Sequence, residues 1–292
     1  MRQESVEFSS DDGLTLRGTL ARPDQDGDQP YVVMTQGAGG HKEWYLPHLA
    51  ELFAEIGIAS LAYDNRSFGA SDGEPRCEID PILQVRDYRS AITFVESTVT
   101  SYRPTFGIFG SSLSGGVVLN VAAIDRRVAC VVSQVPYLNG FERTTRLHTP
   151  DSLTAARERW LADRRARSAG GSPEYVPHHV KDTVDPPSNR SLYFEDMTPT
   201  ETEHWENRIT LRSQENLAEY IPAAFIEHIT PTPLMLIVSK AEAALGMRAY
   251  AAALEPKRVV LTEGDHYDVY MGQKGVASSA TRDWFGQWLL PS

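Results

Sequence analysis

Phe106-Gly107-Ile108-Phe109-Gly110-Ser111-Ser112-Leu113-Ser114-Gly115-Gly116 is the stretch on which the reading of this chain turns. An apolar run with strand character ends at Gly110, and the residues from Leu113 onward read as a helix. A serine therefore stands on a sharp strand-to-helix turn. Such a turn needs small residues two places before and two places after its central residue, because larger side chains collide across it. Ser111, flanked by Phe109 and Leu113, fails that test. Ser112, between Gly110 and Ser114, passes it. Ser114, between Ser112 and Gly116, passes too but falls inside the helix, whereas Ser112 stands at the strand tip. Ser112 is the candidate nucleophile and Ser114 the fallback. A glycine- and serine-rich turn without chemistry is the bland alternative, and the position between strand and helix weighs against it. Gly115 and Gly116 allow the helix to pack closely on a sheet, and its N-terminus favours negative charge developing nearby.

Outward from this turn, β-branched apolar runs bounded by turn residues predict strands at Ser5–Ser9, Leu14–Leu20, Tyr31–Thr35, Ile58–Tyr63, Thr105–Phe109, Val128–Val135, Pro233–Val238 and Arg258–Leu261. Helical patterns lie between the later ones, at Glu43–Ile56, Pro81–Thr98, Leu113–Ala123, Ala241–Leu254 and Ser278–Leu290. Strand-helix alternation of this kind predicts an α/β fold: a doubly wound, mostly parallel eight-stranded sheet with an antiparallel N-terminal edge. The alternation breaks between Leu138 and Thr230. Polar segments at Ala155–Arg167 and Glu201–Glu219 flank a proline-rich stretch, Ser172–Pro187. Residues 139–229 are expected to form an inserted helical cap over the C-terminal edge of the sheet, where open α/β sheets bind ligands, with 1–138 and 230–292 as the core. A separate small domain or a dimerisation element is the weaker alternative.

A serine hydroxyl needs a base, and histidine titrates in the right range. Of eight histidines, His266 follows the last strand in Thr262-Glu263-Gly264-Asp265-His266 and precedes the C-terminal helix, the place a base should occupy. His148, His178, His179, His204 and His228 fall in the expected cap, and His41 and His48 lie by the first helix. A carboxylate after the preceding strand should hold the imidazole in its working tautomer. Glu242, in Ser239-Lys240-Ala241-Glu242, is the available one; a helix-start glutamate is its competing reading. The order Ser112, Glu242, His266 matches nucleophile, acid, base. Oxyanion stabilisation requires backbone N–H groups, expected from Leu113 and from Ala38 in the permissive loop Thr35-Gln36-Gly37-Ala38-Gly39-Gly40. That loop lacks the Lys-Ser/Thr ending of a phosphate-binding loop and the spacing of a dinucleotide site, so nucleotide binding is disfavoured. Trp44 and Tyr45, just beyond it, are expected at the substrate pocket. Among the cap aromatics, Trp160, Tyr175, Tyr193, Phe194, Trp205 and Phe225 are candidates either for an acyl pocket or for packing within the cap.

The 292 residues carry 28 basic and 39 acidic side chains, a formal net charge of −11, with 41% hydrophobic and 9% aromatic residues. That balance fits a folded globular chain and repels phosphate backbones and anionic lipid, which argues against nucleic-acid and membrane partners. The two cysteines, Cys77 and Cys130, form no disulfide framework. The adjacent His178 and His179, with Glu174 and Asp182, match no metal-ligand spacing and are expected in solvent. No cofactor or metal is implied. The first residues lack the apolar core of a signal peptide, so a cytoplasmic location is expected. The sequence leaves oligomeric state open, a homodimer through the cap being one arrangement it allows.

With these residues in place, the whole chain resembles the α/β-hydrolase superfamily, and particularly its dienelactone-hydrolase-like and polyketide-transferase-like branch. The resemblance rests on Gln36–Gly40, Tyr63–Gly73, Gly110–Gly116 and Gly264–Asp268, with Arg208–Ser213 in the cap also similar. It implies a serine hydrolase that cleaves an ester, thioester or lactone through an acyl-serine, or an acyl or polyketide transferase with the same nucleophile. It implies a structural role for the Asp64–Gly73 turn. The branch usually has histidine at the position of Gln36 and aspartate, followed by a longer loop, at that of Glu242. A non-catalytic protein on the same fold is the third reading, which fold alone does not exclude.

Overall fold

The computed structural model describes residues 1–25, 27–98, 102–179, 189–195 and 203–291. Its strands are β1 (Arg2–Ser9), β2 (Thr15–Arg22), β3 (Gln29–Thr35), β4 (Ala59–Tyr63), β5 (Tyr102–Ser111), β6 (Val128–Gln134), the two-residue β7 (Tyr175–Val176) and β8 (Ile209–Thr210), β9 (Leu234–Ser239) and β10 (Lys257–Thr262). Eight of them form one sheet in the order β1-β2-β4-β3-β5-β6-β9-β10. β1 and β2, and β2 and β4, pair antiparallel. The remaining neighbours pair parallel. Every residue of β3, β4 and β9 is buried. Parallel strands covered on both faces read as continuous apolar runs, which is why the sequence announced them.

Helices α1 (Leu46–Glu55), α2 (Pro81–Thr98) and α3 (Leu113–Ile124), with the helices Ala243–Ala252 and Lys274–Leu289, cover the two faces. One apolar layer gathers Tyr88, Ile92, Val117 and Val121 of α2 and α3 against the sheet. The other gathers Leu49 and Phe53 of α1 with Trp284 and Phe285 of the last helix. There the Phe53 and Phe285 rings meet edge to face with centroids 5.3 Å apart. α1 begins at Leu46 rather than at the expected Glu43, because Tyr45 takes φ 59° and Pro47 occupies the first turn, where its missing N–H costs nothing.

Between β6 and β9 lie the helices Gly140–Leu147, Pro150–Ser168, Asn189–Glu195 and Leu211–Glu219. This segment is not purely helical, since β7 and β8 pair antiparallel within it. Two-residue strands are too short for alternation to reveal. Residues 180–187 of the proline-rich stretch and 201–202 of the second polar segment lie outside the described residues. In the rest of that polar segment the helix starts at Leu211, where Thr210 caps it by accepting from the Ser213 N–H. The segment shares a core with the sheet body: Trp160, Val176, Ile209 and Leu211 bury with Phe68, Ile79 and Leu113. Polar ties reinforce it. Ser213 Oγ accepts from the Ile79 N–H at 2.9 Å, Asn216 Nδ2 donates to Ile79 O at 2.9 Å, and Arg212 Nε donates to Glu78 at 2.8 Å.

The turn after β4 is braced internally. Asp64 accepts from Lys42 Nζ at 2.8 Å and from the Ala70 N–H at 3.0 Å, while Arg66 bridges Asp12 and the fully buried Asp87. Among the described residues, no helix is long and apolar enough to cross a membrane.

Candidate active site

The sheet order reverses direction between β3 and β5, so the loops leaving these two strands open side by side, and crevices of α/β sheets form at such a point. Thr35 pairs with Gly110, which sets the loop 36–40 directly beside the turn that carries Ser112. Ser112 caps α3 at φ 57° and ψ −117°, a backbone conformation that a side chain adopts only when its surroundings impose it. They do so here. The Ser112 N–H donates to Gln134 O at 2.9 Å and Ser112 O accepts from the Tyr137 N–H at 2.8 Å. Gly110 is required because any Cβ there would strike the Ser114 carbonyl, and Gly37 because a Cβ would stand 2.7 Å from Ser112 Cβ.

Ser112 Oγ lies 3.0 Å from His266 Nε2. His266 Nδ1 lies 3.0 Å and 3.2 Å from the two Glu242 carboxylate oxygens. Glu242 sits in a single tight turn, Lys240–Glu242, that follows β9, and its Oε2 accepts from Ser239 Oγ at 3.0 Å. The loops of acid and base are stitched together by the Ala241 N–H donating to Gly264 O at 3.2 Å. Burial alone would raise the Glu242 carboxyl; hydrogen bonds from His266 and Ser239, with the charges of His266 and Arg143, outweigh it and hold the group below the usual glutamate range. The arrangement therefore presents a carboxylate, an imidazole and a hydroxyl in line.

Ala38 and Leu113 line the same cavity as Ser112 and His266. Leu113 is the first residue of α3, so its N–H has no acceptor within the helix. Gln36 braces the loop: its Oε1 accepts from the Gly37 N–H at 2.9 Å and its Nε2 donates to Trp44 O at 3.1 Å. Ser114 is fully buried and donates to Gln36 O, a strut beneath the loop that does not face the cavity. Ser111 instead meets the Tyr270 hydroxyl and accepts from Gln134 Nε2 at 3.0 Å.

The cavity encloses about 510 Å³ and draws its walls from the sheet body and from the segment between β6 and β9. Trp44 lines it; Tyr45 does not. The expectation for Tyr45 is corrected by its backbone, which at φ 59° turns the ring into the apolar layer against Phe109 and Tyr270. Of the segment's aromatics, Tyr193 and Phe194 line the cavity. Trp205 stacks on Phe194, Trp160 lies in the shared core, Tyr175 packs under Arg208 and Phe225 packs on the sheet layer.

The expectation of solvent-exposed His178 and His179 is also corrected. His179 is buried, stacked on Phe194 with ring centroids 4.6 Å apart. His178 lines the cavity, and burial with the neighbouring Arg190 charge pulls its imidazole down to about 4. Glu174 pairs with Arg159 at 2.9 Å, and Asp182 lies outside the described residues. Sequence reasoning did not single out Arg143, Arg190, Tyr267 or Tyr270, all of which line the cavity. A signal existed for the tyrosines, which follow His266 by one and four positions; nothing local marks the arginines.

Residues 32–278 match the Alpha/beta hydrolase family. The chain is 31% identical over 288 residues to the polyketide transferase claH of Penicillium crustosum, covering 91% of each chain. It is 29% identical over 282 residues to a thiohydrolase of Eupenicillium brefeldianum, covering 92% of this chain and 89% of that one. The crystal structure of the alpha/beta hydrolase GrgF from Penicillium sp. sh18 superposes with a TM-score of 0.84 at 26% identity, covering 99% of both chains. The chain belongs to the alpha/beta hydrolase family and is an enzyme of the hydrolase type.

Proposed function

We propose that the protein is a serine hydrolase acting on an ester, thioester or lactone through an acyl-Ser112 intermediate. The observation that carries this reading is the relay Glu242–His266–Ser112, with contacts of 3.0 Å at each step, opening into a closed-in cavity of acyl-group size. Ser112 Oγ attacks the substrate carbonyl as His266 Nε2 takes the hydroxyl proton, and Glu242 stabilises the resulting imidazolium. The negative charge on the carbonyl oxygen falls to the Ala38 and Leu113 N–H groups, aided by the N-terminus of α3. Collapse breaks the acyl–oxygen or acyl–sulfur bond, and His266 returns its proton to the leaving alcohol or thiol. Water then attacks the acyl-serine with His266 as base, releasing the acid and regenerating Ser112. Residues 139–229 serve as the cap that shapes the acyl pocket.

The names of the relatives, polyketide transferase and thiohydrolase, favour a thioester as the acyl donor. They also support a second reading in which another alcohol, amine or thiol replaces water as acceptor. A fluorophosphonate probe should label the wild type and Ser114→Ala but not Ser112→Ala. Equal labelling of Ser112→Ala removes this serine from the mechanism. Free acid as the sole product favours the hydrolase, and a transferred acyl product the transferase.

A further inference from the structure

The cavity wall across from the serine turn holds two buried polar atoms that, among the described residues, have no hydrogen-bond partner: Arg190 Nε and His178 Nδ1. They belong together. Arg190 donates from one terminal nitrogen to His178 O at 2.7 Å, which fixes the guanidinium against the histidine backbone and leaves its Nε inside the site. The His178 ring is held over the loop beside Ser112, close enough that a methyl group on Gly39 would stand 3.4 Å from its Cε1 and Nε2. Buried polar atoms in native proteins are almost always paired, and an orphaned pair facing a cavity calls for a partner that arrives with the ligand.

The charges around the cavity point the same way. Of the carboxylates lining it, Glu142 is engaged by Arg248 and Glu242 by His266. Among the described residues, the lining guanidiniums of Arg143, Arg146 and Arg190 have no carboxylate partner. The net charge is −11, so the cavity is locally positive in an acidic protein. An uncompensated cation in a partly desolvated site attracts an electron-rich oxygen.

We propose that Arg190 and His178 form a second recognition subsite, which accepts an oxygen carried by the acyl chain itself, a carboxylate or a keto oxygen, distinct from the reacting carbonyl. The inference rests on the acyl-enzyme reading and narrows its substrate class from plain alkanoyl to oxygenated acyl groups. Tyr193 and Phe194 supply apolar wall beside the subsite, and the guanidinium sets where the oxygen lies along the chain.

The test compares kcat/KM for a plain alkanoyl, a keto-acyl and an ω-carboxy-acyl thioester of equal length, in the wild type, Arg190→Met and Arg190→Lys, with fluorophosphonate labelling of Ser112 as the sign of an intact site. A subsite of this kind should favour one of the oxygenated thioesters over the alkanoyl one by at least about tenfold. Arg190→Met should lose that ratio while still labelling, and Arg190→Lys should restore part of it. Preference for the carboxylate identifies charge as the recognised feature, and preference for the ketone identifies a neutral acceptor. Equal kcat/KM for all three in an active wild type, or an unchanged ratio in Arg190→Met, overturns the subsite alone. If the wild type turns over none of the three and Ser112 is not labelled, the acyl-enzyme reading falls and the subsite with it.

Discussion

Replacing Glu242 by glutamine tests the part of the site that departs most from the family pattern. The carboxylate contacts His266 Nδ1 at 3.0 Å and 3.2 Å. Its work is to stabilise the imidazolium that forms when Ser112 gives up its proton. Two unit charges about 4 Å apart attract by about 4 kcal/mol at an effective permittivity of about 20. The side chains of His266 and Glu242 are 25% and 33% exposed, so solvent screening reduces this to about 2–3 kcal/mol. With about 1.4 kcal/mol per decade of rate, Glu242→Gln should lower kcat roughly 30- to 150-fold. The glutamine keeps the shape of the side chain, so KM and the thermal midpoint should stay near wild type. Loss of ring orientation adds to the defect, since the tautomer of His266 is set by what Nδ1 meets. Steady-state hydrolysis of an activated ester, with a melting curve on the same sample, measures both quantities. A kcat within about threefold of the wild type would refute the reasoning, because the charge would then be idle in the rate-limiting step.

Gly37→Ala places a methyl group 2.7 Å from Ser112 Cβ, so either the oxyanion loop or the serine must move; kcat should fall roughly 100-fold, as for displacements of about 1 Å in other sites, and crystals of the variant should show the loop shifted. The buried Asp125 is held below the ordinary aspartate range, because the Arg127 hydrogen bonds and charge, with the charge of Arg89, outweigh burial. Its folded-state pKa lies below its unfolded one, so the unfolded chain binds more protons and stability drops as pH falls below about 4. Asp125→Asn should flatten that drop in urea denaturation followed from neutral to acid pH; an unchanged acid slope would show that Asp125 does not contribute to it.

Much of the molecule was legible because short-range physics fixed it. β3, β4 and β9 are buried on both faces, so their sequences are apolar throughout and admit one reading. The turn at Ser112 announces itself because Gly110 and Ser114 are the residue sizes its geometry allows. His266 and Glu242 were found by counting strands, since each follows the strand that should carry it. The boundaries of α1 were less legible, because the φ of Tyr45 is a product of its packing rather than of its side chain.

Tertiary structure alone decided what faces the cavity. Trp44 and Tyr45 are neighbours in sequence with similar side chains, yet one lines the site and the other fills the sheet layer. His178 and His179 read as a solvated polar pair until the segment folded onto the loop 36–40 and buried the second ring against Phe194. Arg190 belongs to a short helix with no local signature, and its place beside His178 follows from long-range packing that no periodicity encodes. The sequence by itself determined the strands, their alternation with helices, and the candidate nucleophile and base, because burial and backbone sterics act on neighbours in the chain. The cavity, its charge and the partners of its buried polar atoms were decided in three dimensions, because they depend on which distant segments meet.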